Sequence, residues 1–215
     1  DVLTLTVGKG GVQLTDGGGR LDSARSIIKK ASNGFDSVVT RNGLEICRAY
    51  GGAGGGGSDR RWGGSGGGIP YNVSYDTDPK NAMPGSEDLG QGHDGGTRDS
   101  SVDTTWKGAT GGGGAGSVGE PMTNVKGKAD GTNGGDGLSS LITGELLWYA
   151  GGGGGAAASG GTHGLGGSGV GGNAGKIGAP GKDGTGSGGG GSSEDDTTSS
   201  GKGGSGVIVI RYATE

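Results

Sequence analysis

The sequence predicts a mainly β fold with little or no α-helix, in which short hairpins are combined with a packed bundle of glycine helices. Three observations carry that expectation. Glycine occupies positions 166, 169, 172, 175, 178, 181 and 184, so that GGSGVGGNAGKIGAPGKDGTG reads as seven consecutive triplets. A hairpin pattern followed by a glycine run occurs twice, about a hundred residues apart. The apolar residues gather in those hairpins and in the two terminal runs, which places the expected core in β structure.

A period of three belongs neither to an α-helix nor to a strand. It is the repeat of a polyproline-II-type helix, with three residues per turn and roughly 3.1 Å rise per residue. Such a helix makes no internal hydrogen bonds, so its N–H and C=O groups need partners on neighbouring segments. Glycine at every third position leaves one edge bare, where another backbone can approach. Collagen is excluded by composition, because the chain has only 5 prolines where a collagen needs ~15–20%. A straight 21-residue tract would be about 65 Å long, against about 45 Å for a compact domain of this size. The tract must bend, or the protein must be elongated.

Composition sets the limits. Of 215 residues 63 are glycine, about four times the usual share. Leu, Ile, Val and Phe make up only about 15%, a level at which disorder becomes the default. The net charge of -4 argues against disorder, since the chain lacks the self-repulsion of an acidic or basic tail. Each ordered glycine costs about 0.5–1 kcal/mol more than an alanine, so dense backbone hydrogen bonding has to offset 63 such costs. Basic residues are scattered among acidic ones with no basic block, and no nucleic-acid partner is expected. No apolar run approaches the ~20 residues that span a bilayer, so no membrane insertion is expected.

Taken in order, Val2–Val7 alternates Leu3, Leu5 and Val7 with Thr4 and Thr6, the pattern of a half-buried strand. Because Asp1 opens directly into it, a preceding segment is expected, either removed or belonging to another domain. Leu21, Ala24, Ile28 and Ala31 fall at near-helical spacing; a short helix over 22–31 and a loop or strand are both open readings. Ser37–Thr40 and Leu44–Cys47 flank Asn42-Gly43, the strongest short-range hairpin signal. Cys47, the only cysteine, is expected as a buried, inert thiol in that hairpin. The second copy runs Ser140–Thr143, a turn at Gly144-Glu145, then Leu146–Tyr149 and AGGGGG. Shorter triplets at Gly108/Gly111/Gly114 and Gly131/Gly134/Gly137 predict further glycine helices. The run Val207–Ile210 predicts a buried strand that pairs with the N-terminal one and closes the domain.

Between the hairpins, residues 58–107 differ in character. They hold Trp62, Tyr71, Tyr75 and Trp106, together with Pro70, Pro79 and Pro84, and predict a long irregular surface excursion inserted into a single domain spanning 1–215. Exposed Trp and Tyr give large contact areas and stack on sugar faces. Trp62, Tyr71, Tyr75 and Trp106 are therefore the candidate ligand or subunit contacts, with simple packing the third reading. Chemistry has little to work with. His93 and His163 lie in glycine-rich stretches with no recognisable nucleophile nearby. Ala179–Gly184 lacks the first glycine and the Ser or Thr of a phosphate loop. Asp76/Asp78 and Glu194–Asp196 could ligate calcium but lack the established loop spacing, and read better as solvated loops. Asn72-Val73-Ser74 is a glycosylation sequon, relevant only in a source that glycosylates. No catalytic residue, metal or cofactor is expected.

The opening strand, SSLITG…YAGGGGG in the middle and GVIVIRY after a glycine tract resemble the glycine-rich modules of bacterial surface proteins and phage tail fibres. Similar glycine-rich folds occur in phage tail-tip adhesins and in the extracellular region of anaplastic-lymphoma-kinase-type receptors. The chain departs from those receptors in having one cysteine, and from the adhesins in its longer hairpins. The resemblance implies polyglycine-II helices packed in a lattice, combined with a β-sandwich or jelly-roll-like hairpins. It also implies display or attachment rather than catalysis. The expected role is a non-enzymatic structural or attachment protein of a virion appendage. It would assemble with itself and bind a host surface glycan or protein. The alternative is a subunit of an extracellular filament or sheath.

Overall fold

The computed structural model describes residues 1–13, 31–55, 63–69, 91–98, 108–122, 130–158, 160–193 and 199–213. Among them are five short strands in two antiparallel sheets and no α-helix. The first sheet holds β1 (Leu3–Thr6), β2 (Ser37–Arg41) and β3 (Leu44–Ala49), with β2 in the middle. The second pairs β4 (Leu138–Ser140) with β5 (Leu147–Tyr149). The mainly β class is thereby observed. No helix among the described residues is long and apolar enough to cross a membrane. The 22–31 stretch is described only from residue 31, so its reading lies outside the described residues.

The first hairpin forms where the Asn-Gly pair predicts. Asn42 at φ 50° and Gly43 at φ 82° both take positive φ, the geometry whose twist matches antiparallel strands. Nothing among the described residues lies within 4 Å of a Cβ at Gly43, so Gly43→Ala is a backbone test. It is expected to cost about 1 kcal/mol, read as a lowered midpoint in urea denaturation. The pairing is regular except between Val39 and Thr40, where a bulge leaves Ile46 without an opposite residue.

The second hairpin is shorter than expected. Ser140 ends β4, and Leu141–Leu146 is loop rather than strand. Two local bonds account for this: the Ile142 N–H goes to Ser140 Oγ (3.2 Å) and the Gly144 N–H to the Leu141 carbonyl (2.9 Å). These bonds turn the chain three residues early.

Between and beyond the sheets the glycine segments form an array held by backbone hydrogen bonds that recur every third residue. At its centre Gly151–Ala158 is buried along its whole length. The carbonyls of Ala150, Gly153 and Ala156 accept from Ala115, Gly112 and Ala109 (2.9, 2.9 and 2.7 Å). Those of Gly152 and Gly155 accept from Gly167 and Gly164, and those of Gly151 and Gly154 from Gly188 and Gly191. Gly152 and Gly155 in turn donate to Gly135 and Thr132 (both 2.8 Å), and Gly154 donates to Gly172. One segment thus bonds to five neighbours.

The triplet glycines behave alike. Gly131 and Gly134 donate to the Thr162 and Leu165 carbonyls, and Gly137 to Ser168 Oγ. Gly172 and Gly175 donate to Gly188 and Gly191, and Gly178 and Gly181 to Ser199 and Lys202. The long tract is not one straight helix. It reverses at the 3-10 turn Gly167–Gly169 and again where Ala179 donates to the Asn173 carbonyl. Bending is therefore how 21 residues fit a compact body.

Burial reverses the expected core. Among the described residues the buried apolar ones are Ile69, Met122, Ala156, Ala157, Ala158 and Val170, all within the glycine array. Leu3, Leu5, Leu44 and Ile46 of the strands are exposed instead, Leu44 at 74%, while Val38 and Val39 of the central strand are half-buried. Cys47 is exposed too, because nothing among the described residues covers the sheet face that carries it. Backbone hydrogen bonding, not apolar side chains, closes this fold. Val207–Ile210 also departs from expectation, since it lies in no strand. The termini still meet one step earlier, where Gly203 and Gly206 donate to the Gly11 and Gly8 carbonyls. Gly203–Gly206 runs antiparallel to Gly8–Gly11 at the array's three-residue spacing.

Candidate binding surface

Trp62, Tyr71, Tyr75 and Trp106 all lie outside the described residues, as do Asp76, Asp78, Glu194–Asp196 and the sequon at Asn72. Two pieces of the 58–107 segment are described, 63–69 and 91–98, and both are woven into the array. Gly66 donates to the His93 carbonyl, Gly113 to Gly66, and Gly96 to Gly111. His93 therefore belongs to the array, while the His163 imidazole caps its edge, with Nδ1 accepting from the Ala157 N–H at 3.1 Å. No group of three or more His, Cys, Asp or Glu side chains among the described residues is arranged to hold a metal ion.

What the structure does build is a β-bearing end. A chain of hydrogen bonds crosses one layer of the array: Gly8 donates to Ser37 Oγ, Gly206 to Gly8, Gly186 to Ser205, Ala150 to Thr185 and Ala115 to Ala150. β1 enters this layer at Gly8, and β2 and β3 leave and return at Ser37 and Ala49. The β4–β5 hairpin is bracketed by Gly137 and Ala150, and the C-terminal run starts at Val207. All four protrusions therefore leave through the same layer. The opposite end holds most of the buried apolar residues, with Ile69 and Ala156 joined to the adjacent Thr110 and Ala109.

The base of the first hairpin is clamped to the array by polar side chains. Arg48 bonds Asp36 (2.6 Å) and both oxygens of Glu45 (2.5 and 2.9 Å), and its guanidinium sits 5.9 Å from the Tyr50 ring centroid. Asp36 also accepts from the Gly51 N–H, and the Gln91 amide bonds the Tyr50 N–H and the Arg48 carbonyl. At the tip Asp1 bonds Arg41 and Asn42. The Arg48 hydrogen bonds hold the Glu45 carboxyl below its usual range. Those of Lys202 and of the Ser205 N–H do the same for Asp183. Both groups have folded values below their unfolded ones, so their contribution is full above the unfolded values of 4.5 and 3.8 and is lost as pH falls through the lowered ones. Both are exposed, so the effect is small. The expected result is a melting temperature that is level from neutral pH down to about 5 and declines below it, with the decline reduced by Asp183→Asn. Thermal denaturation at stepped pH checks this.

The sequence missed this end because apolar strands were assigned to the core. The available signal was the mismatch between few apolar residues and a chain whose backbone could close on itself. No curated protein and no solved structure matches this chain. The family model of the glycine-rich domain matches residues 1–213, and the chain belongs to that family.

Proposed function

We propose that the chain is a non-enzymatic structural and attachment module of a virion appendage, extracellular in its setting. In this reading its glycine segments are polyglycine-II helices packed as a stiff lattice. The observation that carries it is the three-residue hydrogen-bond repeat around Gly151–Ala158, where one segment serves five neighbours. Gly166, at φ -74° and ψ 146°, has the backbone angles of such a helix. The two sheets stand at one end of that lattice. The lattice suits display because each segment is held on several sides by bonds that a loop cannot break singly. Within residues 58–107, Trp62, Tyr71, Tyr75 and Trp106 supply the contacts for a host surface glycan or protein.

Electron microscopy of the native assembly tests this. A closed oligomer attached to a particle or tail is expected. Chains repeating along an open helical axis would overturn it in favour of an extracellular filament subunit. The outer edges of β1 and β3, which no strand pairs among the described residues, are what favours that second reading.

A further inference from the structure

We propose that the β-bearing end is a self-association face, covered in the assembled protein by a second copy of this chain. The inference deepens the scaffold reading and rests on it in one respect, that the array holds the four protrusions in fixed relation.

The first argument is area. Of 21 exposed large apolar residues among the described ones, 15 lie in the opening strand, the two hairpins and the C-terminal run. Their combined exposed area is comparable to the ~800 Å² that each partner buries in a standard interface. The second argument is arrangement. In the first sheet Leu5, Val39 and Cys47 stand opposite one another, and so do Leu3, Arg41 and Leu44, so these side chains share one face. The β4–β5 hairpin adds Leu141 at 62% and Trp148 at 41% exposure. Val207–Ile210 supplies a strand-length apolar run that is in no strand and follows the Gly206 that bonds Gly8, while no strand pairs the outer edge of β1 among the described residues.

The third argument is charge. The face's net charge is small, because Asp1 pairs with Arg41 and Arg48 with both Glu45 and Asp36, while Glu145 and Arg211 add one charge of each sign. Two copies can therefore meet with little repulsion between like charges. A lipid surface is the poorer fit, because the face lacks the cluster of free basic groups that an anionic membrane attracts.

Sedimentation of the 215-residue chain at micromolar concentration tests the proposal. The wild type is expected at twice the chain mass or more. Leu5→Asp and Trp148→Asp are each expected to weaken association at least about tenfold, and the double variant to run as a monomer. Leu165→Asp and Ile177→Asp, exposed on the glycine array away from this end, are the controls and are expected to leave the mass unchanged. Maleimide labelling of Cys47 is expected to be slower in the assembly than in the monomeric variant. Amide exchange across residues 151–158 is read in every sample. Lost protection there in the wild type defeats the scaffold reading whatever the mass. A monomeric wild type with an intact array overturns the self-association face, including one that co-sediments with anionic lipid vesicles. So does an assembly that survives the double variant or is lost equally with the controls.

Discussion

Gly153→Ala is expected to cost about 3 kcal/mol or more, a large share of the ~5–15 kcal/mol that holds a typical domain together. A Cβ built at Gly153 meets the Gly189 carbonyl oxygen at 1.9 Å and its carbon at 2.6 Å. Both are backbone atoms, so no side chain can swing aside. Gly153 cannot retreat either, because its own carbonyl accepts from Gly112 and its neighbours Gly152 and Gly154 are bonded to further segments. The paired control is Gly55→Ala, where nothing among the described residues lies within 4 Å of the added Cβ and the backbone is not left-handed. That change is expected to be neutral or to stabilise by about 0.4–1 kcal/mol, through a less flexible unfolded chain. Urea denaturation of both variants gives the comparison. Similar midpoints for the two would show that the central segment is not closely surrounded by backbone, and the lattice reading would fall with it.

That contrast bears on what the sequence could and could not reveal. The Asn42-Gly43 turn was legible because its residues are chosen by backbone conformation, which is local. The three-residue spacing of the bonds was legible in the triplets, and Gly131, Gly134 and Gly137 do donate at that spacing. Which segment bonds to which was not legible. Glycine carries no side-chain pattern, so nothing in the sequence marks Gly112 as the partner of Gly153, or Gly188 as that of Gly151.

The core was misread for a physical reason. Placing apolar strands inside assumes that a fold closes by burying side chains, and here the backbone closes it. Leu3, Leu5 and Leu44 were thereby freed from the interior, and Cys47 was exposed with them. The β4 boundary failed on a smaller scale, because Leu141 and Ile142 look like strand residues while Ser140 Oγ captures the N–H that a strand would need. The aromatic contacts at Trp62, Tyr71, Tyr75 and Trp106 stay with the functional proposal, outside the described residues.

Thr110→Val is expected to cost about 2–4 kcal/mol, although it removes no volume. Thr110 is 3% exposed, and its hydroxyl oxygen accepts from the Ile69 N–H at 2.7 Å while donating to the Gly96 carbonyl at 2.7 Å. Those two groups belong to different segments, so the side chain joins strands of the array that the Thr110 backbone alone does not. The Thr110 N–H bonds the Ile69 carbonyl, which leaves the hydroxyl as the bridge to the Ile69 N–H and to Gly96. Valine keeps the shape and strands a buried donor and a buried acceptor, each of which then bears its own desolvation penalty. Serine restores the hydroxyl and gives up only a methyl group, so Thr110→Ser is expected to recover most of the loss. The order wild type, serine, valine in urea midpoint is the result that a hydrogen-bonded array requires. If valine instead matched wild type and serine were the weaker, side-chain packing would outweigh hydrogen bonding at Thr110. The claim that polar and backbone bonds close this end of the fold would then fail.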